Sequence, residues 1–253
     1  MNLGYLGLEI RRALRAPGTL LFTIGFPAMF YLLEMMLFKD VAGAGAEGGA
    51  GTAAAQYPVT IMVGLCAWGV MTAGLLIGTR VVHERTAGWQ RQLRLTPLSG
   101  AGFLVGKVTV GMAVALPTAI VVPVVAVLVE NVQLTPVGWL HATLFVWLGS
   151  LPFAIMGLLI GQLSNKDNVQ NFVIVGMLLL AMFGGLFMPL DMLPPWWNDL
   201  AQFVPSYWLA EIGRVGVLPN YGTLVTPTLV LLGWAVVLSA GVMWRYQRDS
   251  ART

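Results

Sequence analysis

FVIVGMLLLAMFGGLF, residues Phe172 to Phe187, is apolar on every face of any regular structure it could adopt, and its reading decides the class of fold. A surface helix of a soluble protein would carry a polar stripe. A strand of a membrane barrel would alternate over about ten residues. This run does neither, so its solvent is lipid, where the backbone must satisfy its own hydrogen bonds and a helix is the form that does so within one segment. Five more stretches also reach the length of about 20 residues that spans a hydrocarbon layer. The six expected spans are residues 19–38, 58–79, 103–129, 138–163, 171–190 and 223–244. The composition agrees: 57% of the 253 residues are hydrophobic, 10% are charged and the mean hydropathy is +0.78. That is more apolar surface than one soluble core hides. The expectation is an all-α integral membrane protein with six transmembrane helices.

The net charge of +3 does not point to nucleic acid, because the charges are sorted by connector. Arg11, Arg12 and Arg15 precede the first span; Arg80, Arg85, Arg91, Arg94 and Lys107 surround the second connector; Lys166 lies in the fourth; Arg245, Arg248 and Arg252 follow the last. Twelve of the fourteen basic residues thus share one side, leaving Lys39 and Arg214 on the other. The positive-inside rule assigns the basic side to the cytoplasm, which puts both termini there, in a multi-pass protein of a bacterial plasma membrane. Cys66 is the only cysteine, so an intrachain disulfide is excluded. Small residues Ala42, Ala44 and Ala46 after the first span resemble a signal-peptide cleavage site, but an apolar run near 20 residues is too long for an ordinary signal core, and the segment is read as retained.

Between the spans lie connectors of contrasting kind. Residues 2–16 read as an amphipathic helix lying in the membrane interface, with Leu3, Leu6, Ile10, Ala13 and Leu14 on one face and the three arginines on another. Residues 41–56 form a Gly- and Ala-rich loop with nothing to pack. Its Gly43, Gly45 and Gly48 match a dinucleotide-binding pattern, yet no strand precedes them to hold the turn. Gly106-Lys107 likewise ends like a phosphate-binding loop, but Ala101 occupies the first glycine position and Val108 the magnesium-binding one. No nucleotide site follows from either. The pentapeptide GLLIG occurs at Gly74–Gly78 and again at Gly157–Gly161, and small residues four apart make both candidate close-packing faces. Residues 190–221 are long and apolar for a connector: Pro194 and Pro195 start a short helix carrying Trp196 and Trp197, Pro205 stops it, and a second helix from Ser206 presents Tyr207 and Trp208. Aromatics of this kind favour the headgroup level, so the pair reads as an outer re-entrant or interfacial hairpin.

The one sizeable connector on the basic side is RVVHERTAGWQRQLRLTPLSG, residues 80–100. Trp89 and Leu93 fall on one face of a short helix, with Arg91 and Arg94 turned away, which suits a hydrophobic notch ringed by acidic groups on a partner. The alternative is a solvated basic loop that only sets topology. Three pieces together resemble the membrane subunit of type-2 ABC exporters: Glu84-Arg85, then LRLTPLSG from Leu93 with Gly106-Lys107 after it, then GGLFMPLDMLPPWW from Gly184 leading to Pro205-Ser206-Tyr207. One departure is Gly88-Trp89, where that family often has Gly-Thr. The resemblance covers nearly the whole chain as a single transmembrane domain. It implies a permease half that is not itself an enzyme and that pairs with a second copy or a paralogue. It also implies two separate ATPase subunits, which hold the ATP and magnesium while this chain binds no cofactor. The main contact would be a coupling helix over Glu84–Leu95, through Glu84, Arg85, Trp89, Arg91, Leu93 and Arg94. Arg11, Arg12 and Arg15 with Asn165, Lys166 and Asp167 would be secondary contacts.

For the pathway, the candidates are Phe26, Phe30 and Phe183, and Glu34, the one acid well inside a span. An unpaired charge at the bilayer centre costs roughly 2.5–3.5 kcal/mol on insertion scales, so Glu34 faces protein, water or the interface rather than lipid. His141 reads as a hydrogen-bonded residue near the outer start of the fourth span. With His83, His141 and Cys66 far apart, no metal-ligand set is legible. The expected cargo is a small amphiphilic or lipid-like molecule of drug or antibiotic type, leaving the cytoplasm or inner leaflet. The rival class is an ion-coupled carrier or channel using Glu34.

Overall fold

The computed structural model describes residues 3–38, 51–87, 100–188, 190, 193–218 and 221–250. Helix α1 is Leu3–Leu14 and α2 is Pro17–Leu37; α3 runs Gly51–Leu75 and resumes at Ile77–Thr86; α4 is Gly100–Glu130; α5 is Pro136–Leu163; and α6 is Val169–Phe183. Two short helices, α7 (Pro195–Ala201) and α8 (Pro205–Val217), lead to α9, Val225–Ser250. Helices α2, α3, α4, α5 and α9 are long and apolar enough to cross a membrane, and the described residues contain no strand. The chain is an all-α integral membrane protein, as its sequence implies.

Helix α3 is the axis of the bundle. Most of it is buried, with Leu65, Trp68, Met71 and Leu75 among the largest fully buried side chains, whereas α2, α6 and α9 turn one flank outward. Its second half extends past the expected end at residue 79 as far as Thr86, and its start lies at Gly51, inside the stretch read as loop. Both GLLIG runs are used, and they are used against each other. A side chain on Gly157 would sit 2.5 Å from the Gly74 carbonyl oxygen, and one on Gly161 would sit 2.7 Å from that of Gly78. The backbones of α3 and α5 therefore meet directly, which needs glycine on both.

Helices α2 and α5 each contain one π-helical turn, at Leu21–Gly25 and His141–Phe145. Such a turn displaces a carbonyl from the regular ladder, and in lipid that oxygen needs another donor. Thr118 of α4 donates to the Thr23 carbonyl at 3.3 Å, and the Cys66 thiol of α3 donates to that of Ala142 at 3.5 Å. Cys66 is a buried packing residue with this small polar duty.

The expected fifth span, 171–190, is present as a shorter apolar helix that ends earlier than its hydropathy suggests. Helix α6 has 15 residues and rises about 22 Å, short of a hydrocarbon layer of about 30 Å. It ends in a Schellman turn: Leu186 N–H donates to the Ala181 carbonyl and Gly185 N–H to that of Met182, with Gly185 at φ +62°. Hydropathy cannot see this stop, because the residues after Gly185 are as apolar as those before Gly184. Leu186 then rests its backbone on Gly64 of α3, where a side chain would sit 2.2 Å from the Leu186 carbonyl oxygen.

Helix α8 occupies the space the shortened α6 leaves. Leu209, Ala210, Ile212, Gly213 and Arg214 are buried, and Ser206 Oγ donates to the Leu180 carbonyl at 2.5 Å. Pro205 is thus the first residue of the second short helix, while the first ends at Ala201, before the proline expected to stop it. Of the two expected readings, α8 is the re-entrant one, packed into the bundle against α3, α5 and α9. Helix α7 is the outlying piece, with Trp196 exposed and Trp197 stacked on Phe183 at 5.1 Å.

Candidate functional site

Four helix ends gather where the basic residues lie. The apolar face of α1 packs on the bundle through Ala13, Leu6, Ile10 and Leu14, so this helix docks on protein as well as skirting the interface. Its docking places Glu9 beside the second turn of α4. There Lys107 reaches Glu9 Oε1 at 2.5 Å and Glu84 Oε1 at 2.7 Å, the latter in the last turn of α3. The Lys107 side chain is 5% exposed and also lies 5.3 Å from the Phe103 ring centroid. One buried ammonium therefore bonds two carboxylates from two other helices.

The neighbouring Arg85 turns the opposite way. Its guanidinium donates to the Gln162 carbonyl at 3.1 Å and to the Ser164 carbonyl, capping the C-terminal end of α5. Those oxygens have no partner within their own helix, and a cation suits the negative end of the helix dipole. Glu84-Arg85 thus has a physical reading: two adjacent side chains on α3 tie it to α1 and α4 on one side and to α5 on the other. Composition could not show this, since Lys107 and Glu9 gain meaning only when their helices are brought together. In the sequence Gly106-Lys107 shows only as an incomplete phosphate-loop ending and a piece of the family resemblance, and Glu9 carries no local signal.

Asn165, Lys166 and Asp167, in the turn after the Arg85-capped end, are exposed, as are Arg11 and Arg12 on α1 and Arg15 just after it. All six lie at the same end of the bundle as Glu84 and Arg85. Trp89, Arg91, Leu93 and Arg94 lie outside the described residues, which stop at residue 87 and resume at 100. Glu84 and Arg85 themselves belong to the last turn of α3 rather than to a separate helix.

Deeper in the bundle, Phe26 and Phe30 stack at 5.6 Å. Trp68 of α3 lies 4.7 Å from Phe26, and Phe187, after the α6 turn, lies 5.5 Å from Phe30. With Phe22 these rings form a ladder along α2. Phe183 stands apart from it against Trp197. The sequence missed Trp68 and Phe187 because rotation about a helix axis is not encoded in hydropathy. Glu34 is buried, 7% exposed, and accepts a hydrogen bond from Tyr57 Oη at 3.0 Å, so it faces protein and not lipid. His141 fills the space over Gly216 of α8, where a side chain would meet its ring at 2.1 Å.

At the far end Arg214, 4% exposed, donates to Glu211 Oε1 at 3.0 Å and to the Gly185 carbonyl at 3.2 Å, and Tyr221 Oη donates to Glu211 at 2.7 Å. Burial, with the Glu211 carboxylate beside it, pushes the Tyr221 phenol well above its ordinary pKa. It stays protonated and donating.

The profile of the ABC-2 type transporter family matches residues 6–218. The chain belongs to that family. A Bacillus subtilis (strain 168) protein named "Putative transport permease YvfS" is 26% identical over 200 residues, covering 79% of this chain and 78% of the relative. As an ABC-2 permease the chain is a multi-pass transport subunit, and ABC-2 permeases work in general with an ABC ATPase. The matched region takes in most of α1, the knot at Lys107, the Arg85 cap and the α7–α8 hairpin.

Proposed function

We propose that this ABC-2 permease is one half of an ATP-driven exporter in a bacterial plasma membrane, with both termini cytoplasmic, and that residues 80–100 couple it to the ATPase. The observation that carries the reading is the Lys107 knot. The two feet of that connector, Glu84 and Lys107, are bonded to each other and to α1, so a push on the loop is delivered to α1, α3 and α4 together. Arg85 passes the same displacement to α5. Trp89 and Leu93 supply the anchor on the ATPase, Arg91 and Arg94 its charge complement, and Arg11, Arg12, Arg15, Asn165, Lys166 and Asp167 the flanking contacts. The outward apolar flanks of α2 and α6, including Met29, Met36, Phe172 and Val175, suit a second permease half, a copy or a paralogue. Two ATPase subunits, holding ATP and magnesium, complete a two-fold assembly. The ring ladder of Phe26, Phe30, Trp68 and Phe187 suits a small amphiphile with a flat or cationic moiety, exported from the cytoplasm or inner leaflet.

The test is co-purification of the chain in lipid with its ATPase, comparing wild type with Trp89→Ala and Leu93→Ala. Loss of assembly or of permease-dependent ATP hydrolysis in the variants is the expected result. A chain that binds no ATPase and moves solute down an ion gradient overturns it.

A second reading rests on Glu34, whose Oε2 is buried without a hydrogen-bond partner among the described residues. A proton-coupled carrier would need that carboxylate to titrate, so Glu34→Gln would abolish its transport while sparing an ATP-driven exporter. Transport by Glu34→Gln, measured with and without a proton gradient, separates the two.

A further inference from the structure

Beside the Lys107 knot lies a cavity of about 290 Å³ between α1 and the facing ends of α3 and α4. A single water needs only about 10–15 Å³ of such space, so the cavity accommodates a polar group with its hydration. Arg12, Arg80, His83 and Lys107 line it together with Glu9 and Glu84. Lys107 bonds both carboxylates at 2.5–2.7 Å, and the Arg80 guanidinium has the same two carboxylates among its charged neighbours. Lys107, Arg12 and Arg80 face two carboxylates, an excess of one positive charge. Arg80, though Glu84 and Glu9 are near it, keeps hydrogen-bond donors to spare. Its guanidinium has five donors, is partly buried, and makes one long hydrogen bond among the described residues, to Thr19 Oγ1 at 3.4 Å. A guanidinium fork turned into a wet cavity with one charge to spare matches a phosphate oxygen pair in shape and in sign.

We propose that this cavity binds a phosphate group carrying one negative charge, with Arg80 as the principal ligand and Arg12 and His83 as supporting donors. The amphipathic α1 that forms one wall places the cavity at the level where phospholipid headgroups lie, so a lipid phosphate reaches it from the bilayer and free phosphate reaches it from water. Filling the site adds an anion that bridges α1 to α3 beside the Lys107 knot and stiffens that joint. The site is independent of the cargo and of the direction of transport.

The experiment uses the full chain purified in detergent, with native mass spectrometry counting bound phosphatidylglycerol, phosphatidylcholine as the zwitterionic comparison, and inorganic phosphate scored by the shift in melting temperature. Wild type is expected to retain one phosphatidylglycerol about tenfold more tightly than Arg80→Gln. Arg12→Gln, on an exposed position of α1 that folding tolerates, should weaken binding about threefold. Arg248→Gln, beside Trp244 and away from the cavity, should leave it unchanged. Retention of the lipid without any effect of inorganic phosphate assigns the phosphate to the bilayer. A melting shift with millimolar inorganic phosphate, lost in Arg80→Gln, assigns it to solution. If wild type prefers neither probe, or if Arg80→Gln and Arg12→Gln bind phosphatidylglycerol as wild type does, the proposal fails.

Discussion

The two ends of this bundle each bury one cation against carboxylate, and they use it for different purposes. At the basic end Lys107 collects Glu9 and Glu84 from helices 98 and 23 residues away in sequence. At the far end Arg214 pairs with Glu211, three residues earlier in the same helix, and spends its other bond on the Gly185 carbonyl. The first is a joint between separate helices; the second is a brace that seals the broken end of α6 to α8. A joint of charges in a partly wet cavity can shift while remaining paired, whereas the brace holds a single turn in a single shape. Between them the Gly74–Gly157 and Gly78–Gly161 contacts of α3 with α5 leave no room for adjustment. That contrast fits a permease half in which force enters at one end and rigid packing carries it onward.

The largest expected effect comes from breaking the joint. Lys107→Met leaves two carboxylates without their shared ammonium partner, and removing one partner of a buried ion pair costs about 3–5 kcal/mol. For a chain of this size that corresponds to a fall of roughly 10 °C in melting temperature, read by thermal unfolding in detergent. Adding Glu9→Gln and Glu84→Gln to Lys107→Met should recover most of that loss, which distinguishes stranded charge from lost packing. Breaking the brace comes next. Arg214→Met should cost about 3 kcal/mol, because Glu211 keeps the Tyr221 hydroxyl as a partner and is less completely stranded. Its loss should accelerate hydrogen exchange around Gly184–Leu186 and leave the basic end unchanged.

Overpacking the seam is the third test. Gly157→Val puts side-chain atoms into the Gly74 and Leu75 backbone and should cost about 1–3 kcal/mol, with crosslinking between engineered cysteines on α3 and α5 reporting the wider spacing. Tyr221→Phe is the smallest, removing one hydrogen bond to a carboxylate at about 1 kcal/mol. Since burial raises the folded-state pKa of this phenol, its contribution is fully present below the unfolded value near 10 and is lost as pH rises toward the folded one. Stability curves of wild type and Tyr221→Phe should therefore run parallel from pH 6 to 9 and converge above pH 10.

Six apolar segments, their order, the basic side and the hairpin prolines were legible in the sequence, because lipid imposes a length and a polarity that no packing detail can override. Pairing the two GLLIG runs was half legible: glycine spacing announces a close approach without naming the partner. The end of α6 at Gly185 was hidden, since an apolar run reads the same whether the chain continues or turns, and only the space taken by α8 makes the turn stable. The pathway residues divide the same way. Phe26 and Phe30 lie on the ring ladder, while Phe183 is drawn off to Trp197 by the hairpin, and Trp68 and Phe187 take its place.

By itself, then, the sequence determined that this is a helical membrane protein with a charged side and an apolar hairpin, because those properties follow from transfer energies summed along the chain, while its motifs carried the resemblance to a permease. Tertiary structure alone decided that Glu9, Glu84 and Lys107 form one joint, that Arg85 caps α5 and that Arg80 faces a cavity. Such pairings depend on which helix ends meet, and the chain brings Glu9 to Lys107 across 98 positions for reasons that no local window contains.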